Sequence, residues 1–210
     1  MSTSQHTPVV PLEAGAGPDN PPCPACGEPL FGWLAPQPGL AGAISRCESC
    51  GLGVVGGEAS PEEALAELDR LRDGDCIRIS NRASWAGSLG SAGWAGLTPG
   101  TRYLFTVEAV RRLIAHRDQV VASCRWAPGA SFANTWQTLL NSVTFGHNVA
   151  LGALRGNAVA APAKKGWQRK IDALASIVLA IPAAIIAAPI ELIAGPTRRG
   201  AVLRIKPQLL

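Results

Sequence analysis

Apolar residues recur along this chain in two rhythms. Over residues 61–72, PEEALAELDRLR, Leu65, Leu68 and Leu71 return at helical spacing. Ser60 precedes them as an N-cap, Pro61 occupies the first turn and Gly74 supplies the stop. A second helix is predicted over Thr106–Ile114, with Thr106 as its cap. Short runs rich in β-branched residues predict strands at Cys76–Ile79, Gln119–Arg125 and Ala201–Ile205, the last of them after Arg198-Arg199-Gly200. Asn81–Trp85 reads as a loop at the end of the first of these strands.

Residues 173–190, ALASIVLAIPAAIIAAPI, keep neither rhythm. They form an uncharged run of eighteen residues, the lower limit for crossing a bilayer. Lys164, Lys165, Arg169 and Lys170 precede the run, and Arg198 and Arg199 come after it. Seven alanines, with Pro182 and Pro189, weaken the case for a span. A buried globular helix, an interfacial hairpin dipping into a membrane and a full span all stay open. A basic approach to an apolar helix suits an anionic membrane surface, so residues 164–195 are the expected contact with one.

Composition narrows the classes. A chain of 210 residues holds one ordinary domain and a small appendage. Its net charge of +4 is spread too thinly for a nucleic-acid groove. Residues 27–46, which separate two cysteine pairs, hold one arginine and no lysine, so no nucleic-acid partner is expected. The first twenty residues lack a basic start leading into an apolar core, and read as a disordered leader, not a secretory signal. The six cysteines are therefore expected in a reducing cytosol, where CxxC pairs point to metal.

Cys23-Pro-Ala-Cys26-Gly and Cys47-Glu-Ser-Cys50-Gly form two knuckles twenty residues apart. Each brings two sulfurs toward one ion, and the glycine after each pair lets the backbone turn back. Four thiolates close a tetrahedral site with no position left for water, which makes it structural. The predicted ligands are Cys23, Cys26, Cys47 and Cys50, and the predicted metal is zinc; redox-active or idle cysteines are the alternative. Cys76 and Cys124, in apolar strand contexts, read as inert core thiols.

LRDGDCIRISNRASW resembles a segment of class I S-adenosylmethionine-dependent methyltransferases, the one that runs from a leucine and a glycine turn through a strand to an asparagine. The likeness continues through a loop holding Trp94, LTPGTRYLFTVEAVRRLI, TWQTLLNSVTFGHN at 135–148 and a tail strand after RRG. One bacterial branch of that family carries an N-terminal zinc ribbon of the type seen here. The resemblance covers about residues 20–206 and rests on the order of its motifs.

It implies an α+β fold: a leader (1–20), a zinc ribbon (21–56) and a methyltransferase-like remnant (57–210) that includes the apolar segment. The remnant is expected to be a three-stranded piece of the Rossmann-like sheet, with the tail strand antiparallel between the other two. The family's glycine turn and ribose-binding acid have no counterpart between Cys50 and Ser60. No catalytic or cofactor-binding residue is therefore assigned, and the isolated chain is not expected to bind S-adenosylmethionine. Thr101 and Leu104 stand where the family has histidines; His147 reads as a hydrogen-bonded structural residue, and His116 lies on a helix exterior.

Loss of the neighbouring strands would leave an exposed edge at 75–80, open to a protein partner. The function expected is a zinc-binding, non-catalytic binding or scaffold element. Its expected place is cytoplasmic, with peripheral or integral attachment to the inner membrane. The alternative is a methyltransferase, or a subunit of one, acting on a lipid-linked or small-molecule substrate.

Overall fold

The computed structural model describes residues 20–37, 40, 42–155 and 160–210. The leader expected over 1–20 lies outside the described residues except for Asn20. In chain order the elements are β1 (Leu30–Leu34), β2 (Ile44–Cys47), β3 (Gly53–Val55), α1 (Pro61–Arg70), β4 (Arg72–Asp73), β5 (Cys76–Ser80), α2 (Trp85–Gly90), β6 (Tyr103–Leu104), α3 (Val107–Ala115), β7 (Gln119–Trp126), α4 (Pro128–Asn141), α5 (Val149–Arg155), α6 (Gly166–Ala194) and β8 (Val202–Leu209). The fold is α+β, with two antiparallel sheets ordered β1-β2-β3-β6 and β4-β5-β8-β7.

The helix caps act locally. Ser60 Oγ accepts from the Glu63 amide at 3.2 Å, and Thr106 Oγ1 accepts from the Ala109 amide at 3.0 Å. α1 stops earlier than Gly74. Leu71 caps it, Arg72 and Asp73 become β4, and Gly74, at φ +62°, turns the chain tightly into β5.

That hairpin changes the second sheet. β8 lies between β5 and β7 and is antiparallel to both, but it runs on to Leu209 and the sheet has a fourth strand. Arg72 and Asp73 pair with Ile77 and Cys76, and the Arg78 amide donates to Leu71 O at 2.9 Å. The edge expected to lie open at 75–80 is thus covered as far as Arg78. Alternation along these strands sends Ile77, Ile79, Leu203 and Ile205 into the core, with Arg78 opposite Arg204 on the other face.

In the first sheet, Tyr103 and Leu104 pair with Val54 and Gly53. A Cβ on Gly53 would stand 3.0 Å from Leu104, so glycine permits this close pairing. The strands of residues 21–56 therefore borrow a partner some fifty positions downstream. They also share a core with the C-terminal part of the chain: Leu30, Leu52 and Val54 pack in one cluster with Leu65, Leu68, Ile77, Leu113 and Leu203. The helical side is joined on by Trp94, wholly buried, whose indole N–H donates to Asn134 Oδ1 of α4 at 3.1 Å.

Candidate metal centre

Both cysteine knuckles are backbone turns closed by their own amides. Cys23 O accepts from the Gly27 amide at 2.8 Å, and Cys47 O from the Gly51 amide at 3.0 Å. Gly27 and Gly51 sit at φ +76° and +74°, where a side chain would be strained. The turns aim four sulfurs at one point. Cys23 Sγ lies 3.6 Å from Cys50 Sγ, Cys26 Sγ lies 3.5 Å from Cys47 Sγ, and all four fall within 4.8 Å of one another.

A disulfide needs sulfurs about 2.05 Å apart, so these are four thiols. Sulfurs each about 2.3 Å from a tetrahedral centre stand roughly 3.8 Å from one another. The cluster fits such a centre and could hold a metal ion. Cys23, Cys47 and Cys50 are buried and Cys26 is half-buried, with the core packed behind them. As thiols, two of the four titrate above their ordinary range: Cys26 chiefly through burial, Cys50 through its hydrogen bond with Cys23 and then burial. A divalent cation among them reverses that balance by favouring thiolate.

The centre is tied to the rest of the fold through α3. Thr106 Oγ1 donates to Cys50 O at 2.6 Å while it caps the helix. Arg112, one turn from the end of α3, donates to Ser49 Oγ at 3.2 Å. The other two cysteines stand apart from the cluster: Cys76 is half-buried on β5, and Cys124 is half-buried on β7 with its thiol pushed up by burial.

A second feature is α6, a single helix of 29 residues and about 44 Å at 1.5 Å per residue. The hairpin reading of 173–190 does not hold, because the helix runs unbroken through Pro182 and Pro189. Both prolines lie on its exposed face, where a missing amide hydrogen bond leaves a carbonyl that water can reach. Ala183, Ala187 and Ala194 are buried, and this narrow side lies along α4, where Trp136 Nε1 donates to Ala180 O at 2.8 Å. The broad side is apolar and exposed; Ile177 is 75% and Ile181 72% accessible. Little of the apolar run is buried.

Two buried carboxylates at either end of the apolar run fasten α6 to the domain. Asp172 accepts from the amides of Phe145 and Gly146 at 2.7 and 2.9 Å. Glu191 accepts from Trp126 Nε1 at 3.2 Å, from the Thr135 hydroxyl, and from the Ala201 amide. Sequence reasoning passed over both, since an acid beside an apolar run reads as a solvated boundary. Their spacing around an uncharged run was the available signal.

His116 is exposed at the end of α3. His147 is half-buried, and its backbone pairs with Ala161 at 2.8 and 2.9 Å. Its Nε2 has no hydrogen-bond partner among the described residues. Burial lowers its pKa, against backbone hydrogen bonding at Leu97 and Trp94, which raises it. Asn81 and Trp85 both bond to the turn at Arg198–Gly200. Asn81 Nδ2 donates to Arg198 O and Gly200 O, both at 3.2 Å, and the Trp85 amide donates to Arg199 O at 3.3 Å. Comparison with protein-family models, curated proteins and solved structures gives no match for this chain.

Proposed function

We propose that this protein is a zinc-stabilised binding element that rests on the anionic, cytoplasmic face of a membrane along the outer side of α6. The observation that carries the reading is a long apolar face turned to solvent on a helix that the domain holds firmly at both ends. Trp167, Ile171, Leu174, Val178, Ile181 and Ile185 succeed one another at spacings of three and four, all exposed. A stripe of that length is not a scatter of single surface residues, and such faces mark interaction sites.

Charge selects the occupant. Lys164, Lys165, Arg169 and Lys170 are exposed at the start of the helix, so the apolar stripe meets the bilayer beside a basic cluster that anionic headgroups attract. Trp167 and Phe145, both exposed and packed edge to face at 5.5 Å, add an aromatic pair at the same end. The Asp172 and Glu191 attachments favour a helix lying in the plane of the interface over one that spans, because spanning would strip both carboxylates of their partners.

Zinc is the metal this reading assigns to Cys23, Cys26, Cys47 and Cys50, since four thiolates in a closed tetrahedron suit it best. The relation to the methyltransferases, as a remnant that does not itself transfer methyl groups, is supported by β8 lying between β5 and β7. It is supported too by the ten residues from Gly51 to Ser60, which supply β3 and a turn where a cofactor cradle needs about thirty residues or more.

Flotation with vesicles tests the membrane reading. The protein should float with anionic vesicles at low salt and less with neutral ones, and the double variant Ile177→Ser/Ile181→Ser should stay in the soluble fraction. A wild-type protein that never floats, and instead sediments as a dimer that this double variant dissolves, would replace the membrane with a second copy of the chain.

A further inference from the structure

A second site lies beside the cysteine centre. There a cavity of about 510 Å³ is walled by Cys50 and Gly51, by Asn81 and Arg82, by the start of α3 and by the turn at Arg198–Arg199. We infer that this cavity binds a phosphate group, held by Arg82, Arg198, Arg199 and the N-terminus of α3.

Arg82 makes the case. Its residue is only 7% exposed, and its guanidinium stacks 3.8 Å above the Trp33 ring. Among the described residues, its side chain takes no hydrogen bond and no carboxylate, and Nε is buried without a partner. Arginines this deeply placed are ordinarily paired, because an uncompensated charge removed from water is costly. Burial, and then the like charge of Arg46, lowers the Arg82 pKa to about 10, which still leaves the group charged at neutral pH. A cation kept in such surroundings calls for an anion that the chain itself does not supply.

The other charged groups described around the cavity have the matching sign or are already engaged. Among the described residues Arg198 and Arg199 form no ion pair, and both are exposed on the cavity's rim. Their turn is held by Asn81, whose Nδ2 bonds two of its carbonyls and whose Oδ1 accepts from the Ala83 amide at 3.1 Å. The amides of Val107 and Glu108 open the nine-residue α3 at the cavity wall, where backbone N–H groups and the helix dipole favour an anion. Glu108 is the one acid on the wall among the described residues, and it is bound to Arg111 at 2.7 Å and Arg112 at 3.0 Å. Planar guanidiniums around a small oxyanion offer the forked donors that phosphate takes best.

The phosphate could belong to a soluble phosphomonoester or to a lipid headgroup, and titration separates the two. Inorganic phosphate and glycerol 3-phosphate are titrated into the zinc-loaded, full-length protein by calorimetry. One saturable, salt-sensitive site per chain is expected, weakened at least about tenfold in Arg82→Gln and in Arg199→Gln. Arg199 is exposed, so its loss leaves the fold in place. Phosphatidic acid vesicles form the second arm. Flotation that drops in Arg199→Gln assigns the group to a lipid, and flotation that is unchanged while free phosphate binds assigns it to a soluble ligand. The inference is overturned if neither phosphate source binds saturably, or if both variants bind as the wild type does.

Discussion

Around the four cysteines apolar side chains point inward: Leu30, Leu52 and Val54 are at most 1% exposed. Along α6 the pattern inverts, and ten large apolar residues face out while alanines and two carboxylates face in. The first region is too small to hold itself together. It closes around sulfurs, borrows Tyr103 and Leu104 as a fourth strand and shares its core with α1, α3 and the second sheet. The second region is held by polar attachment at its ends and by close backbone approach along an alanine strip. Hydrophobicity shows that a segment leaves water; where it goes depends on what the rest of the chain offers it. α6 is offered little, and its broad face stays exposed.

The comparison breaks most sharply at the metal. Cys47→Ser removes one of four ligands, and the purified variant should lose its near-stoichiometric zinc by elemental analysis. With it should go the cooperative unfolding of the N-terminal sheet, because a bound metal would supply folding energy there. An unchanged zinc content would mean that the four sulfurs do not form a metal centre.

A smaller effect sharpens the other side. Glu191→Ala leaves the indole of Trp126, the Thr135 hydroxyl and the Ala201 amide without an acceptor, at a cost of roughly 1–3 kcal/mol. Denaturant melts should show that loss while zinc content stays at the wild-type value. A variant as stable as the wild type would mean that the alanine strip alone holds α6.

The smallest test concerns the borrowed strand. Tyr103 is the only tyrosine in the chain, so its ionisation is read without interference from others. Burial, then its hydrogen bond to Glu63 at 3.1 Å, raises its pKa to about 12. A folded-state value above the ordinary value near 10 means a contribution to stability that is full below pH 10 and lost as pH rises through 12. Tyrosinate absorbance should therefore lag in the folded protein and return to the ordinary value once it is unfolded. A titration near 10 in the native state would show that β6 is not docked on β3.

Much of this protein is written in local signals. Ser60 and Thr106 cap their helices because a hydroxyl reaches an amide three residues on, and that needs nothing beyond the neighbouring sequence. The CxxC spacing does the same for the sulfurs, and alternation places Ile77, Ile79, Leu203 and Ile205 in the core. The order of the second sheet was expected from the family resemblance, not from pattern. Two-residue strands carry no period, so β4 and β6 exist only because a neighbouring strand has free backbone groups to pair. The edge expected at 75–80 is covered as far as Arg78 for that reason. Pro182 and Pro189, which weakened the case for a span, do not end the helix, since both stand where water can satisfy the freed carbonyls. The roles of Asp172, Glu191 and Arg82 were likewise invisible, because an isolated acid or base has no meaning until folding decides what surrounds it. Residues close in sequence determine caps, turns and knuckles through bonds they make among themselves. Burial, pairing and the fate of a charge depend on groups dozens of positions away, and those meet only in the folded chain.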